Sequence, residues 1–258
     1  MTMKTVPFAE LLKEAVNKEG ILSTCYSRFH QYSIGNQLWL WDQVSQRDET
    51  LGPVQTLKQW NTLGRSIKGG SKAYSMLMPV IVPKKDKAGK KIDGKFSKFF
   101  MLKNYWFTVH QTEGDDFKEE TIIPEWDKQK ALDKLLIKEN AYESIDGNVQ
   151  GYASFHSFAI NPLAIYPHKT TFHELAHIVL GHTTEHTMSD SEATPRDIRE
   201  VEAESVAYIL CSILGLNGLE ESRGYIQHWL KDNQIDDRSA QKIFTCANTI
   251  LNAGKVGV

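Results

Sequence analysis

The feature that most constrains this chain is a pair of histidines four residues apart on an apolar run, in TTFHELAHIVLGH at residues 170–182. On an α-helix, positions i and i+4 share a face, so His173 and His177 can aim ring nitrogens at one ion about 2 Å away. Glu174 points to the side of that pair, where a carboxylate can take a proton from a metal-held water and pass it to a leaving amine. This is the His-Glu-x-x-His arrangement of zinc hydrolases. Thr171 and Glu174 also fit Thr-x-x-Glu, so a helix start closed by a capping box, with two histidines satisfied in a core, is the competing reading.

A third ligand would decide between them. His182 and His186 have suitable side chains, but Gly181-His182 is one step out of register with the longer metzincin pattern. That assigns both histidines to the surface or to contacts behind the ligands. The acidic candidates are better placed. In REVEAESVAYILCSILGL, Glu200 and Glu204 share a helical face, while Val201, Val206, Ile209, Leu210 and Ile213 supply a buried side. Two carboxylates on so apolar a helix are costly to bury unless one ligates a metal and the other accepts from a ligand histidine. The alternative is a solvated face in which Glu200, Glu202 and Glu204 pair with Arg196 and Arg199.

Charge divides the chain. The net charge of −2 conceals 17 Lys and Arg against 8 Asp and Glu in residues 1–110, and 13 against 24 thereafter. The first part suits a polyanion, and the split suggests two domains. A hydrophobic fraction of 41% with 24% charged residues is that of a soluble globular protein, and no apolar run approaches a membrane span. The N-terminus carries acidic residues and no apolar core of a secretory signal, so a cytoplasmic location is expected. Cys25, Cys211 and Cys246 are odd in number and far apart, which predicts reduced thiols.

Along the chain, FAELLKEAVNKEGIL and FHQYSIGNQLWLWDQV have helical spacing. Gly64, Gly69 and Gly70 punctuate a basic turn ahead of a strand over 74–82, which pairs through a charged tip with FSKFFMLKNYWFTVHQT. The acidic stretch EGDDFKEETIIPEW reads as a connection. Beyond it come a helix near 127–139, strands in GYASFHSFAINP, the His173 helix, a helix from Asp197 to Leu214 stopped by Gly215, and further helix over about 220–254. Between Arg65 and Lys103, eleven Lys and Arg stand against two Asp, interleaved with Trp60, Tyr74 and Trp106 and preceded by Trp39 and Trp41. Such a region can neutralise phosphates and stack unpaired bases at about 1–3 kcal/mol each. Most of these rings should be core. Trp60 is the first choice for a ring that is either structural or lines a groove, beside Arg65, Lys68 and Lys72.

At these residues the chain resembles a known family. TTFHELAHIVLGH followed by EVEAESVAY is similar to the zinc-peptidase domain of ArdC-type antirestriction proteins and, more distantly, to the ImmA/IrrE metallopeptidases. NQLWLW, QWNTLGRSIKGGSKAYSMLMPV and VHQTEG are similar to that family's N-terminal single-stranded-DNA-binding domain. The resemblance runs from about residue 8 to 230. It implies Zn²⁺ held by His173, His177 and Glu200, with Glu204 hydrogen-bonded behind a ligand histidine and Glu174 catalytic.

The expected architecture is therefore α+β in two domains. Residues 1–118 would form a mixed single-stranded-DNA-binding domain, and residues 119–258 a mostly helical gluzincin-like domain with a small sheet. The resemblance implies an antirestriction protein of a mobile element. Two alternatives stay open: a regulatory zinc protease that cleaves a repressor or restriction component, and a non-enzymatic DNA-binding shield with a structural zinc. Single-stranded DNA is the expected partner, a protein substrate is open, and no membrane is expected.

Overall fold

The apolar spacing at the start of the chain forms two helices, α1 (Phe8–Asn17) and α2 (Ile21–Phe29), which pack with the C-terminal half of the chain and not with the strands nearest them in sequence. In the computed structural model, residues 6–85, 91–118, 123–143, 149–183, 195–232 and 235–257 are described. The chain divides into two compact units, Met1–Val6 with Trp39–Glu120, and Pro7–Leu38 with Thr121–Val258. This differs from the single boundary expected near residue 118. α1 buries Leu11, Leu12, Ala15 and Val16, and the C-terminal helices supply the apolar surface that this face needs. Helix α3 (Ile34–Gln46) contains the change-over between units. Counted by unit, the first holds fifteen Lys and Arg against ten Asp and Glu, so it remains basic, and the second remains acidic.

The first unit is built on a long antiparallel hairpin, with β1 (Val54–Thr56), α4 (Leu57–Thr62) and β2 (Arg65–Ile67) preceding its strands β3 (Tyr74–Lys85) and β4 (Lys91–Thr108). β4 is central in the order β1-β4-β3, and β2 pairs with β5 (Thr112–Gly114). Thr56 and Gln59 close the start of α4 with a reciprocal capping box, and Thr108 and Gln111 repeat the device after β4. Trp39, Trp60, Tyr74, Met76 and Trp106 are buried at the base of the hairpin. The Trp39 indole donates to Ser75 Oγ at 3.0 Å. Farther out β1 no longer covers the ribbon, and Ile81, Phe96, Phe99 and Phe100 are exposed.

The second unit contains β6 (Glu125–Trp126), α5 (Lys128–Leu135), β7 (Lys138–Glu139), β8 (Gly151–Ser154), β9 (Ser157–Ile160), α6 (Pro167–Val179), α7 (Arg196–Ile213), α8 (Leu219–Lys231), α9 (Asp237–Gly254) and β10 (Lys255–Val256). α7 is the core helix. Every residue from Val201 to Ile213 except Glu204 is buried, because α6, α8, α9 and α2 all pack on it. The small sheet has the order β7-β9-β8, which leaves β8 at an edge beside α6. Cys25, Cys211 and Cys246 are buried free thiols. No helix among the described residues is long and apolar enough to cross a membrane. The fold is α+β, with a helical C-terminal half.

Candidate metal centre

Helix α6 starts at Pro167, whose fixed φ suits the first helical position and whose missing N–H leaves no donor unpaired. Thr171 consequently lies inside the helix, its hydroxyl donating to the Pro167 carbonyl at 2.8 Å, and it does not cap. This leaves Glu174 free of the capping role and puts His173 and His177 on the face that meets α7.

His173 Nε2 and His177 Nε2 are 3.1 Å apart. Glu200 Oε2, from α7, lies 3.4 Å from the first and 3.6 Å from the second. Donor atoms at these separations can share one ion about 2 Å from each, and imidazole nitrogens with a carboxylate oxygen are a donor set that zinc accepts. Two ring nitrogens facing one another need a proton or a cation between them. Burial works against a charge on His173, but hydrogen bonds to Glu200 and Glu204 prevail and raise its pKa to about 9. The adjacent imidazoles of His173 and His177 hold the Glu200 carboxyl well below the usual range. Without metal, a proton sits where the donor set would hold a cation.

The far sides of the two rings are also engaged. His173 Nδ1–H donates to Glu204 Oε2 at 3.0 Å. Glu204 Oε1 accepts from Ser222 Oγ at 2.5 Å and pairs with Lys169 Nζ at 2.9 Å. Burial would raise the Glu204 pKa, yet these three donors hold it at about 2. His177 Nδ1 lies 3.0 Å from His182 Nδ1, and His182 Nε2 lies 3.1 Å from Glu202 Oε2. Burial lowers the His182 pKa. Glu202 is 1% exposed, so the reading of Glu200, Glu202 and Glu204 as one solvated face fails at Glu202. His186 lies outside the described residues.

Glu174 is 7% exposed, and its burial pushes its carboxyl upward against the nearby His173 and His177. It lines a cleft of about 380 Å³ with His177, Glu200, Arg196, Arg199 and the β8 residues Gly151, Tyr152 and Ala153. β8 approaches α6 closely at Gly151, where a Cβ would stand 2.8 Å from Thr170 Cγ2.

The four residues chosen as DNA contacts fare differently. Trp60 is 0% exposed, donates from Nε1 to the Phe107 carbonyl at 2.9 Å and meets the Phe117 ring edge-on. Trp60 is therefore a core ring and cannot stack a base. Arg65 is half-exposed, and its guanidinium donates to Thr112 Oγ1 at 2.8 Å and to the carbonyls of Thr112 and Asp115, which ties β2 to β5. Lys68 and Lys72 are exposed. They line an open cleft of about 700 Å³ with Arg47, Gly69, Gly70 and His110. Arg47 lies over the Tyr74 ring and donates to the carbonyls of Lys72 and Ala73, so it supports this turn from below.

Residues 9–120 match the family model of the N-terminal domain of anti-restriction factor ArdC. This part of the chain is similar to the ArdC N-terminal domain. The matched span includes α2 and nearly all of α1, helices that pack in the second unit. Two crystal structures of the antirestriction ArdC protein from the R388 plasmid are similar to this chain. The Mn(II)-bound form aligns with a TM-score of 0.52 at 15% identity, over 95% of this chain and 96% of that one. The metal-free form gives 0.49 at 18% identity, over 95% and 94%. The first likeness extends the ArdC fold through the C-terminal half. No curated protein sequence matches the chain.

Proposed function

We propose that the protein is an antirestriction factor that binds single-stranded DNA through its first unit and hydrolyses peptide bonds at a divalent metal centre in its second. The observation that carries the hydrolytic part is the convergence of His173 Nε2, His177 Nε2 and Glu200 Oε2 on one point beside the buried Glu174. The related R388 protein is known in a Mn(II)-bound form, and the imidazole and carboxylate donors here suit Zn²⁺ as well. When bound, the ion supplies Lewis acidity that polarises a carbonyl and makes water a better nucleophile. Glu174 accepts the proton of the attacking water and returns it to the leaving amine, a cycle that its raised pKa favours. β8, an edge strand beside the cleft, offers backbone groups to an extended peptide.

Three protein donors among the described residues and an open cleft speak for a hydrolase over a structural zinc, which takes four protein ligands. DNA binding is supported by the basic first unit and by its ArdC family. With Trp60 and Arg65 committed to the fold, phosphates are assigned to Lys68 and Lys72, and base stacking to the exposed Phe96, Phe99 and Phe100 of the β3–β4 ribbon.

The test is metal-loaded and metal-stripped protein assayed in parallel for casein hydrolysis and for binding of a fluorescent single-stranded oligonucleotide. Hydrolysis should need metal, whereas DNA binding should not. Stoichiometric metal without hydrolysis of casein or a peptide library would leave the shield reading in its place.

A further inference from the structure

His177 carries the least obvious hydrogen bond in the molecule, one imidazole nitrogen against another. Its origin lies in how α6 ends. Gly181, at φ +79°, takes the left-handed conformation after the helix, and the backbone then closes two bonds: Gly181 N–H to the Ile178 carbonyl at 3.0 Å and His182 N–H to the His177 carbonyl at 2.8 Å. This pattern, a Schellman motif, brings the side chain two places beyond the helix cap back over the residue whose carbonyl it engages. Here those residues are His182 and His177, with ring centroids 5.1 Å apart. His182 is held from its other side by Glu202, and their side chains are only 4% and 2% exposed.

The donors and acceptors in this row can be assigned in one order. The Glu202 carboxylate can only accept, so His182 donates from Nε2. A neutral imidazole with its proton on Nε2 has an acceptor at Nδ1, so His177 donates from its own Nδ1. His177 Nε2 is then a bare lone pair, directed at the point that His173 Nε2 and Glu200 also face. Burying Glu202 is not a gain in stability on its own account, since its Oε1 finds no protein donor among the described residues.

We propose that His182 and Glu202 are positioning residues that fix the tautomer and the orientation of His177, so that its Nε2 faces the metal site. His173 is served separately by Glu204, so the two ligand rings have independent supports. The inference rests on the metal-centre reading, and its first measurement is made without metal.

In metal-free protein at pH 10, above the raised pKa of His173 so that no His173 proton faces His177 Nε2, long-range ¹H–¹⁵N correlation spectra should place the His177 proton on Nδ1 and the His182 proton on Nε2. In His182→Phe, which keeps a buried ring, the His177 proton should move to Nε2. Zn²⁺ affinity measured by chelator competition should then fall about ten- to a hundredfold, the usual effect of losing such a partner. Glu202→Gln keeps shape and burial and guards against a His182→Phe protein that does not fold; it should fall in the same direction by less. A folded variant with unchanged His177 tautomer or wild-type affinity overturns the proposal. If wild-type protein shows the assigned tautomers but binds no divalent ion, the metal reading fails while the tautomer assignment stands.

Discussion

The His173 ring donates from Nδ1 to Glu204 across the α6–α7 interface, and this pairing decides which nitrogen of that ring is left for a cation. Glu204→Ala should lower Zn²⁺ affinity about ten- to a hundredfold. It should also destabilise the fold, because Lys169 would be left largely buried without its partner. Glu200→Ala, which removes a donor itself, should cost more affinity than Glu204→Ala and less stability. Chelator competition and thermal melts on both variants separate the roles, and the reverse order would make Glu204 the ligand.

Stability of the metal-free protein should depend on His173. Its folded pKa of about 9 lies above the ordinary 6.5, so the stabilisation is fully present below pH 6.5 and is lost as pH rises through 9. Over the same window Zn²⁺ affinity should climb by about tenfold per pH unit, because each ion bound displaces that proton. Calorimetric titration in buffers of different ionisation enthalpy counts the protons released. Affinity flat from pH 6.5 to 9 would remove the proton from the site.

Glu174→Gln should bind Zn²⁺ with wild-type stoichiometry and lose hydrolysis by about 10²- to 10⁴-fold, since the amide keeps the size of the side chain but relays no proton. Metal content and turnover measured on the same preparation check this, and persistent turnover would exclude Glu174 as the base.

Within the basic unit, two classes of substitution should diverge. Trp60→Ala should destabilise the unit by about 3–5 kcal/mol, because it empties a core position. Lys68→Ala and Lys72→Ala should leave the melting temperature nearly unchanged and flatten the salt dependence of oligonucleotide binding by about one slope unit for each phosphate left without its lysine. Phe100→Ala should lower affinity without changing that slope. Salt titrations of the three variants read the difference, and an unchanged slope for the lysine variants would move the phosphate-binding role elsewhere.

Gly151→Ala should destabilise the second unit by about 1–3 kcal/mol through overpacking, as the new methyl meets Thr170 Cγ2 at 2.8 Å and the Ala159 carbonyl at 3.1 Å. A melt equal to wild type would mean that β8 can move off α6 without cost.

Much of the centre was legible before any fold was known, because it is carried by helices, and helical spacing puts residues four apart on one face whatever surrounds them. His173 with His177, and Glu200 with Glu204, are of this kind. So are the major elements, since α6, α7 and the β3–β4 hairpin are announced by apolar periodicity and glycine punctuation, while α8 and α9 read as one helical stretch over about 220–254. The short strands β6, β7 and β10 are two residues each, too short for any periodicity to announce them.

What the sequence could not decide were pairings across long separations and the fate of side chains with two plausible roles. Arg65 and Lys68 sit in one basic turn, and only the place of β5 opposite β2 set the half-buried first to brace Thr112 and the exposed second to donate to the His110 carbonyl. Glu202 reads as one more acid in a charged helix until α6 and α9 close over α7 and exclude water from it. His182 was out of register for a ligand, and its partner Glu202 is 20 residues away. The sequence by itself determined the two histidines, the glutamate beside them and the helices that carry them, because those depend on local geometry. Tertiary structure decided which carboxylates stand behind the histidines and which basic and aromatic residues face solvent, because burial and hydrogen-bond partners are properties of the packed chain.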